Sequence, residues 1–129
     1  MDIEILKKAV EQAWAEDTCY PGSLDQWSRE NPSVGQSAIT ALVVQDYFGG
    51  EILHCDLYNH DWNLVPGMGE LDLARECFPE GTEVCVEEKR TREILLTSPK
   101  TVAAGTPGRY ALFKSRVQDL VAKMEEMEI

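Results

Sequence analysis

Residues 38–48, Ala-Ile-Thr-Ala-Leu-Val-Val-Gln-Asp-Tyr-Phe, leave this chain few choices. Wound as a helix, Ile39, Leu42, Val43 and Tyr47 fall on one face, and Ala41, Val44 and Phe48 on another. A helix that is apolar nearly all round has to be buried, so the remaining elements must be arranged to cover it. Gly49-Gly50 ends it, because glycine accepts the left-handed conformation of a helix C-terminus. Upstream, Asn31-Pro32-Ser33 and Gly35 are turn formers, which puts Gln36 and Ser37 at the helix start. Free N–H groups and the positive end of the helix dipole favour negative charge there.

After Gly50 the period changes from helical to alternating. Glu51, Leu53, Cys55 and Leu57 point one way, and Ile52, His54, Asp56 and Tyr58 the other. Cys55 reads as a core residue of this strand, and His54 as incidental, on an exposed or half-exposed face. Asn59 makes a turn, His60–Val65 a second strand, Pro66–Gly69 a loop and Glu70–Leu73 a third strand. The expectation is a buried helix followed by an antiparallel meander.

The flanks supply the cover. Ile3, Leu6, Val10, Ala13 and Trp14 form a helical stripe over Ile3–Glu16, capped by Asp2. Thr18–Gly35 is long and irregular, with one helical turn at Ser23–Trp27 and with Tyr20 and Trp27 packing it down. Eight of the fourteen residues from Glu80 to Glu93 are charged. That run reads as a solvated connection, with a short exposed strand possible at Val84–Val86. A short helix or extended piece follows at Glu93–Thr97, then a small-residue connection at Ser98–Gly108. Thr106-Pro107 starts the last helix, whose stripe is Tyr110, Phe113, Val117, Leu120, Val121 and Met124. Its acidic end, Glu125, Glu126 and Glu128, is predicted to fray. The fold class is α+β: a buried central helix packed on a small antiparallel sheet, flanked by N- and C-terminal helices. A chain of 129 residues supports this as one domain, 1–129, with one core.

The formal net charge of −11 argues against nucleic acid and anionic membrane as partners. No apolar run reaches the length of a membrane span. The start, Met1-Asp2-Ile3-Glu4, does not read as a signal peptide, so a cytoplasmic location is expected. Cys19, Cys55, Cys77 and Cys85 contain no Cys-x-x-Cys pair, and their spacings of 36, 22 and 8 suit no zinc motif. Reduced thiols, no metal and no cofactor are the expectation.

A polar residue at a buried helix N-terminus, a His opening a strand and an Asp on the next strand resembles the layout of transglutaminase-like and papain-like cysteine enzymes. His60-Asp61-Trp62-Asn63 and Leu71-Asp72-Leu73 look like the His-x-Trp strand and the following Asp strand of the transglutaminase type. More narrowly, the wording of Trp27–Phe78 is similar to the uncharacterised bacterial YunG-like family, which reads Gly-Gln-Cys where this chain reads Gly35-Gln36-Ser37. The resemblance implies Ser37 at the nucleophile position, His60 as its base and Asp72 orienting His60. Gln36, by its side-chain amide or its backbone N–H, either helps bind an oxyanion or simply caps the turn.

Ser37 departs from the pattern. A thiol has an ordinary pKa of about 8.5, whereas a hydroxyl must lose its proton to a base during attack. Three accounts fit: an engineered Cys→Ser change, a natural non-catalytic homologue, and a genuine serine nucleophile. Two functions are therefore expected in parallel. One is a hydrolase or acyltransferase scaffold acting on an amide or ester. The other is a non-catalytic domain binding a ligand or peptide in the same cleft.

Overall fold

The computed structural model describes residues 1–127. Helix α1, Ile3–Ala13, begins where the Asp2 carboxylate accepts the Glu4 N–H at 2.8 Å. Helix α2, Ser37–Phe48, is the expected central helix, and Ile39 through Val44 are all buried. It ends at Gly49, and Gly50 follows with φ 83°. A Cβ at Gly50 would stand 2.2 Å from the Leu64 carbonyl oxygen, so the chain can turn into the sheet only there without a side chain.

Strands β1 (Glu51–Cys55), β2 (His60–Val65), β3 (Gly69–Leu71) and β4 (Glu88–Arg90) form one antiparallel sheet in the order β3-β2-β1-β4. The β1–β2 register pairs Cys55 with His60 and His54 with Asp61. The edge strand β4 lies just past Val84–Val86, inside the charged run read as a connection. Helices α3 (Arg92–Thr97), α4 (Pro99–Ala103) and α5 (Thr106–Met127) complete the chain. Helix α4, capped by Ser98, stands where a plain connection was expected. Helix α5 continues through Glu125 and Glu126, where fraying was expected, to Met127, and Glu128 lies outside the described residues.

Helix α2 lies across β1 and β2, and α5 packs on both α1 and α2. One face of the sheet, with Ile52 and Val65, joins the main core of α1, α2 and α5. There the Asn63 amide donates to the Ala41 carbonyl at 2.9 Å. The other face carries its own small cluster of Leu53, Cys55 and Trp62, covered by Leu64 and Val84. Trp14 links the layers, its indole N–H donating to Thr40 Oγ1 at 2.9 Å. No described helix is long and apolar enough to cross a membrane.

Candidate functional site

Ser37 is the first residue of α2, and the loop before it is fixed from both sides. Gly35 has φ 73°, and a Cβ on it would meet Cys19 Sγ at 2.5 Å. Its carbonyl accepts the Tyr20 N–H at 2.8 Å. Ser37 Oγ accepts the backbone N–H of Asp61 at 3.2 Å, which ties the helix start to the beginning of β2. The N–H groups of Ser37 and Ala38 belong to the first turn and have no intrahelical partner.

Gln36 does not serve the cleft through its side chain, contrary to one of the two readings of the sequence. It is fully buried, accepts from Thr18 Oγ1 at 2.8 Å and donates to the Ala15 carbonyl at 3.0 Å. Its backbone N–H is taken by the Ser33 carbonyl. Gln36 therefore staples the Ala15–Thr18 turn beneath the helix start.

His60 Nε2 and Asp72 Oδ2 are 2.7 Å apart. The imidazole is only 2% exposed, held between Trp62, stacked at 5.8 Å between centroids, and the edge of Phe78 at 4.7 Å. With Nε2 donating to the carboxylate, Nδ1 is left as the acceptor. Cys77 Sγ lies 3.9 Å from that Nδ1. Burial, and then the charge of Asp72, push the Cys77 thiol up to about 12, so it keeps its proton at neutral pH. The second oxygen of Asp72, Oδ1, is buried without a hydrogen-bond partner.

Alternation puts His60 with Trp62 on the sheet face away from α2, while Asp61 and Asn63 turn toward it. Ser37 and His60 thus approach the end of β2 from different sides. They line the same cavity, and no hydrogen bond joins them.

His54 is not the incidental, part-exposed residue that its strand position suggested. It is 1% exposed, with Nδ1 2.8 Å from Asp61 and Nε2 2.9 Å from Asp56. Burial alone would lower its pKa, but the hydrogen bond to Asp61 and that carboxylate's charge outweigh it and hold His54 above its ordinary value. Ile52 on the same face was the usable signal, since an apolar neighbour two residues away marks a covered face. His54, Asp56 and Glu88 also bring ligand atoms within 4.8 Å of one another. The Arg90 guanidinium already occupies that ground, 2.8 Å from Glu88 and 3.4 Å from Asp56.

The cavity measures about 240 Å³. Ser37, Ala38, His60 and Cys77 line it, and so do Lys100 and Thr101 of α4 and Thr106 and Arg109 of α5. Sequence reasoning did not find Cys77, Lys100 or Arg109 as site residues. They reach the cleft through tertiary packing, and no spacing along the chain announces it.

Fold and site together define a small α+β protein whose central helix start and carboxylate-paired histidine line one cavity. The particular family follows from comparison: a family model described as YunG protein matches residues 2–122, and the chain belongs to the YunG family. The Bacillus subtilis (strain 168) protein described as "Uncharacterized protein YunG" is 37% identical over 68 residues. That match covers 51% of this chain and 55% of the relative, so the chain spans about half the length of the curated relative it matches. No solved structure matches.

Proposed function

We propose that the cleft carries out hydrolysis of, or acyl transfer from, an amide or ester on a transglutaminase- or papain-like scaffold. The observation that carries the reading is the His60–Asp72 pair at 2.7 Å, with Nδ1 unclaimed by any carboxylate, in the cavity that Ser37 also lines. Asp72 holds the ring in the tautomer that leaves Nδ1 free to take a proton. As the Ser37 oxygen bonds to the acyl carbon, its proton passes to Nδ1 by way of a bridging water, because no hydrogen bond joins Ser37 to His60. The imidazolium then returns that proton to the leaving amine or alcohol. The oxyanion is held by the first-turn N–H groups of Ser37 and Ala38, not by the Gln36 side chain. Four unpaired cysteines fit a reducing compartment, the cytoplasm.

A second reading has its own observation. Cys77 Sγ is already 3.9 Å from His60 Nδ1, so Cys77 is the alternative nucleophile on the same base pair. The non-catalytic alternative keeps the cleft as a ligand- or peptide-binding site.

p-Nitrophenyl acetate separates the three. Ser37→Cys in a Cys77→Ser background is expected to give a burst of nitrophenolate whose pH dependence reports a thiol pKa below about 8.5. Adding His60→Ala should slow that burst by about 10²-fold or more. A burst from the unaltered chain that disappears in Cys77→Ser selects the second reading. If position 37 acylates no faster than the exposed Cys85, and the unaltered chain gives no burst, the cleft binds without catalysing.

A further inference from the structure

The cavity that Ser37 and His60 line also holds a cation without an acidic partner among the described residues. Four arginines are half-buried: Arg90, Arg92, Arg109 and Arg116. Arg90 pairs with Glu88, Arg92 with Asp46 and Arg116 with Asp17. Arg109 pairs with no acid among the described residues. Its guanidinium donates to neutral oxygens: Nε to the Ala104 carbonyl at 3.2 Å, Nη1 to the Thr18 carbonyl at 3.1 Å and Nη2 to Thr106 Oγ1 at 3.1 Å. The Tyr20 ring lies 6.0 Å below it. A guanidinium has five N–H donors, so two remain unspent.

Its position makes the lack of a counter-charge costlier. Arg109 stands in the first turn of α5, where the helix dipole is already positive and a cation is disfavoured. Lys100, on the same cavity wall, also has no acid partner among the described residues. A chain with 23 acidic residues against 12 basic ones has carboxylates to spare, yet none closes on this pair. An anion in the cavity that both residues line would meet cations, and a positive helix end, that no carboxylate among the described residues neutralises.

We propose that the Arg109–Lys100 wall is a binding subsite for an anionic group, a carboxylate or a phosphate, on the ligand of this cleft. The three neutral acceptors fix the guanidinium fork in one orientation, so its remaining N–H groups are preorganised for a planar or tetrahedral oxyanion. Lys100, which is exposed, adds a second charge on the same cavity. This deepens the acyl-transfer reading, naming a negatively charged substrate, and rests on that reading only for the word substrate.

The test reads binding without turnover, so a failed esterase assay leaves it intact. Succinate and inorganic phosphate are titrated separately into the folded protein against sodium chloride of equal ionic strength. Binding is followed by amide chemical shifts and by Tm. Saturable shifts that include Arg109 and the Thr101–Thr106 segment are expected. Succinate as the tighter anion identifies a carboxylate ligand, and phosphate a phosphorylated one. Lys100→Glu, which alters an exposed residue, should weaken binding by roughly tenfold by reversing one of two charges. Arg109→Lys keeps the charge but loses the fork, and should weaken it by a similar factor. If Arg109→Lys does not fold, Lys100→Glu decides alone. The subsite is refuted if neither anion shifts the protein beyond the chloride control, or if Lys100→Glu binds as the parent does.

Discussion

His54 is held between two carboxylates, and only a doubly protonated ring can donate to both Asp61 and Asp56. Its raised pKa therefore links folding to pH. A group whose folded pKa lies above its unfolded value, here about 6.5, stabilises fully below that value. The contribution is lost as pH rises through the folded pKa. Urea midpoints for the parent should fall as pH climbs above about 6.5. His54→Gln should lower stability at pH 6 and flatten the curve in that window. A parent curve that is flat or rising there refutes the imidazolium. The buried thiols act at higher pH. Burial raises Cys19, and burial with the Asp72 charge raises Cys77, so above about pH 8.5 the unfolded chain sheds thiol protons that the folded chain keeps. Both effects lower stability with rising pH, and only the first disappears in His54→Gln. At the same scale, Gln36 was placed correctly at the helix start by its neighbours. Its role in stapling Ala15 and Thr18 depends on a loop conformation that adjacent residues do not encode.

Among the elements, α2 was the most legible, because eleven mostly apolar residues closed by two glycines admit one solution. Its burial is the main stabilising event of the fold. Leu42 is fully buried in the cluster shared by α1, α2 and α5. Leu42→Ala should cost about 2–5 kcal/mol, from lost transfer energy plus a cavity that the surrounding helices cannot close. A loss well under 1 kcal/mol by denaturant titration would mean that the helix is far less tightly packed than Leu42's environment requires. The helix α5 start at Thr106-Pro107 was readable for a local reason, the fixed φ of proline. Strand β4 was not. Glu88, Lys89 and Arg90 carry no apolar alternation, since an edge strand is held through its backbone and tolerates charged side chains. Helix α4 was read as a connection, because five residues among small and turn-forming neighbours carry no apolar stripe. His54 was misjudged because both faces of β1 are buried, the Ile52 and His54 face on the side of α2 and the Leu53 and Cys55 face in a cluster with Trp62, Leu64 and Val84, which strict alternation does not anticipate.

At the scale of the whole molecule, half of the site was legible and half was not. His60 and Asp72 are close in sequence and belong to one meander, so their pairing follows from strand order. Arg109 of α5 and Lys100 of α4 join the same cavity only because α5 packs back on α1 and α2 and α4 packs on α5, contacts written in no local pattern. The resulting charge distribution is lopsided, with a cationic wall inside a chain of net charge −11. That excess gives an expectation for stability against salt. Self-repulsion among surplus acids acts over the whole surface and is screened within about 10 Å at 0.1 M salt. Opposing it are the ion pairs, such as Arg116–Asp17 at 2.6 Å and Lys89–Glu51 at 2.7 Å. Exposed pairs of this kind are worth about 0–1 kcal/mol each, and salt weakens them too. The Arg92–Asp46 pair, also bound by Tyr110, is less exposed and loses less. With eleven uncompensated negative charges against a few weak pairs, the repulsive term should win. Tm is therefore expected to rise between about 10 mM and 500 mM sodium chloride, most steeply at the low end where the Debye length changes fastest. Adding like charge should sharpen the effect: Lys123→Glu, at an exposed position of α5, should lower Tm at low salt and be nearly silent at high salt. A Tm that falls steadily with salt would show that specific ion pairs, rather than net charge, dominate the electrostatics of this fold.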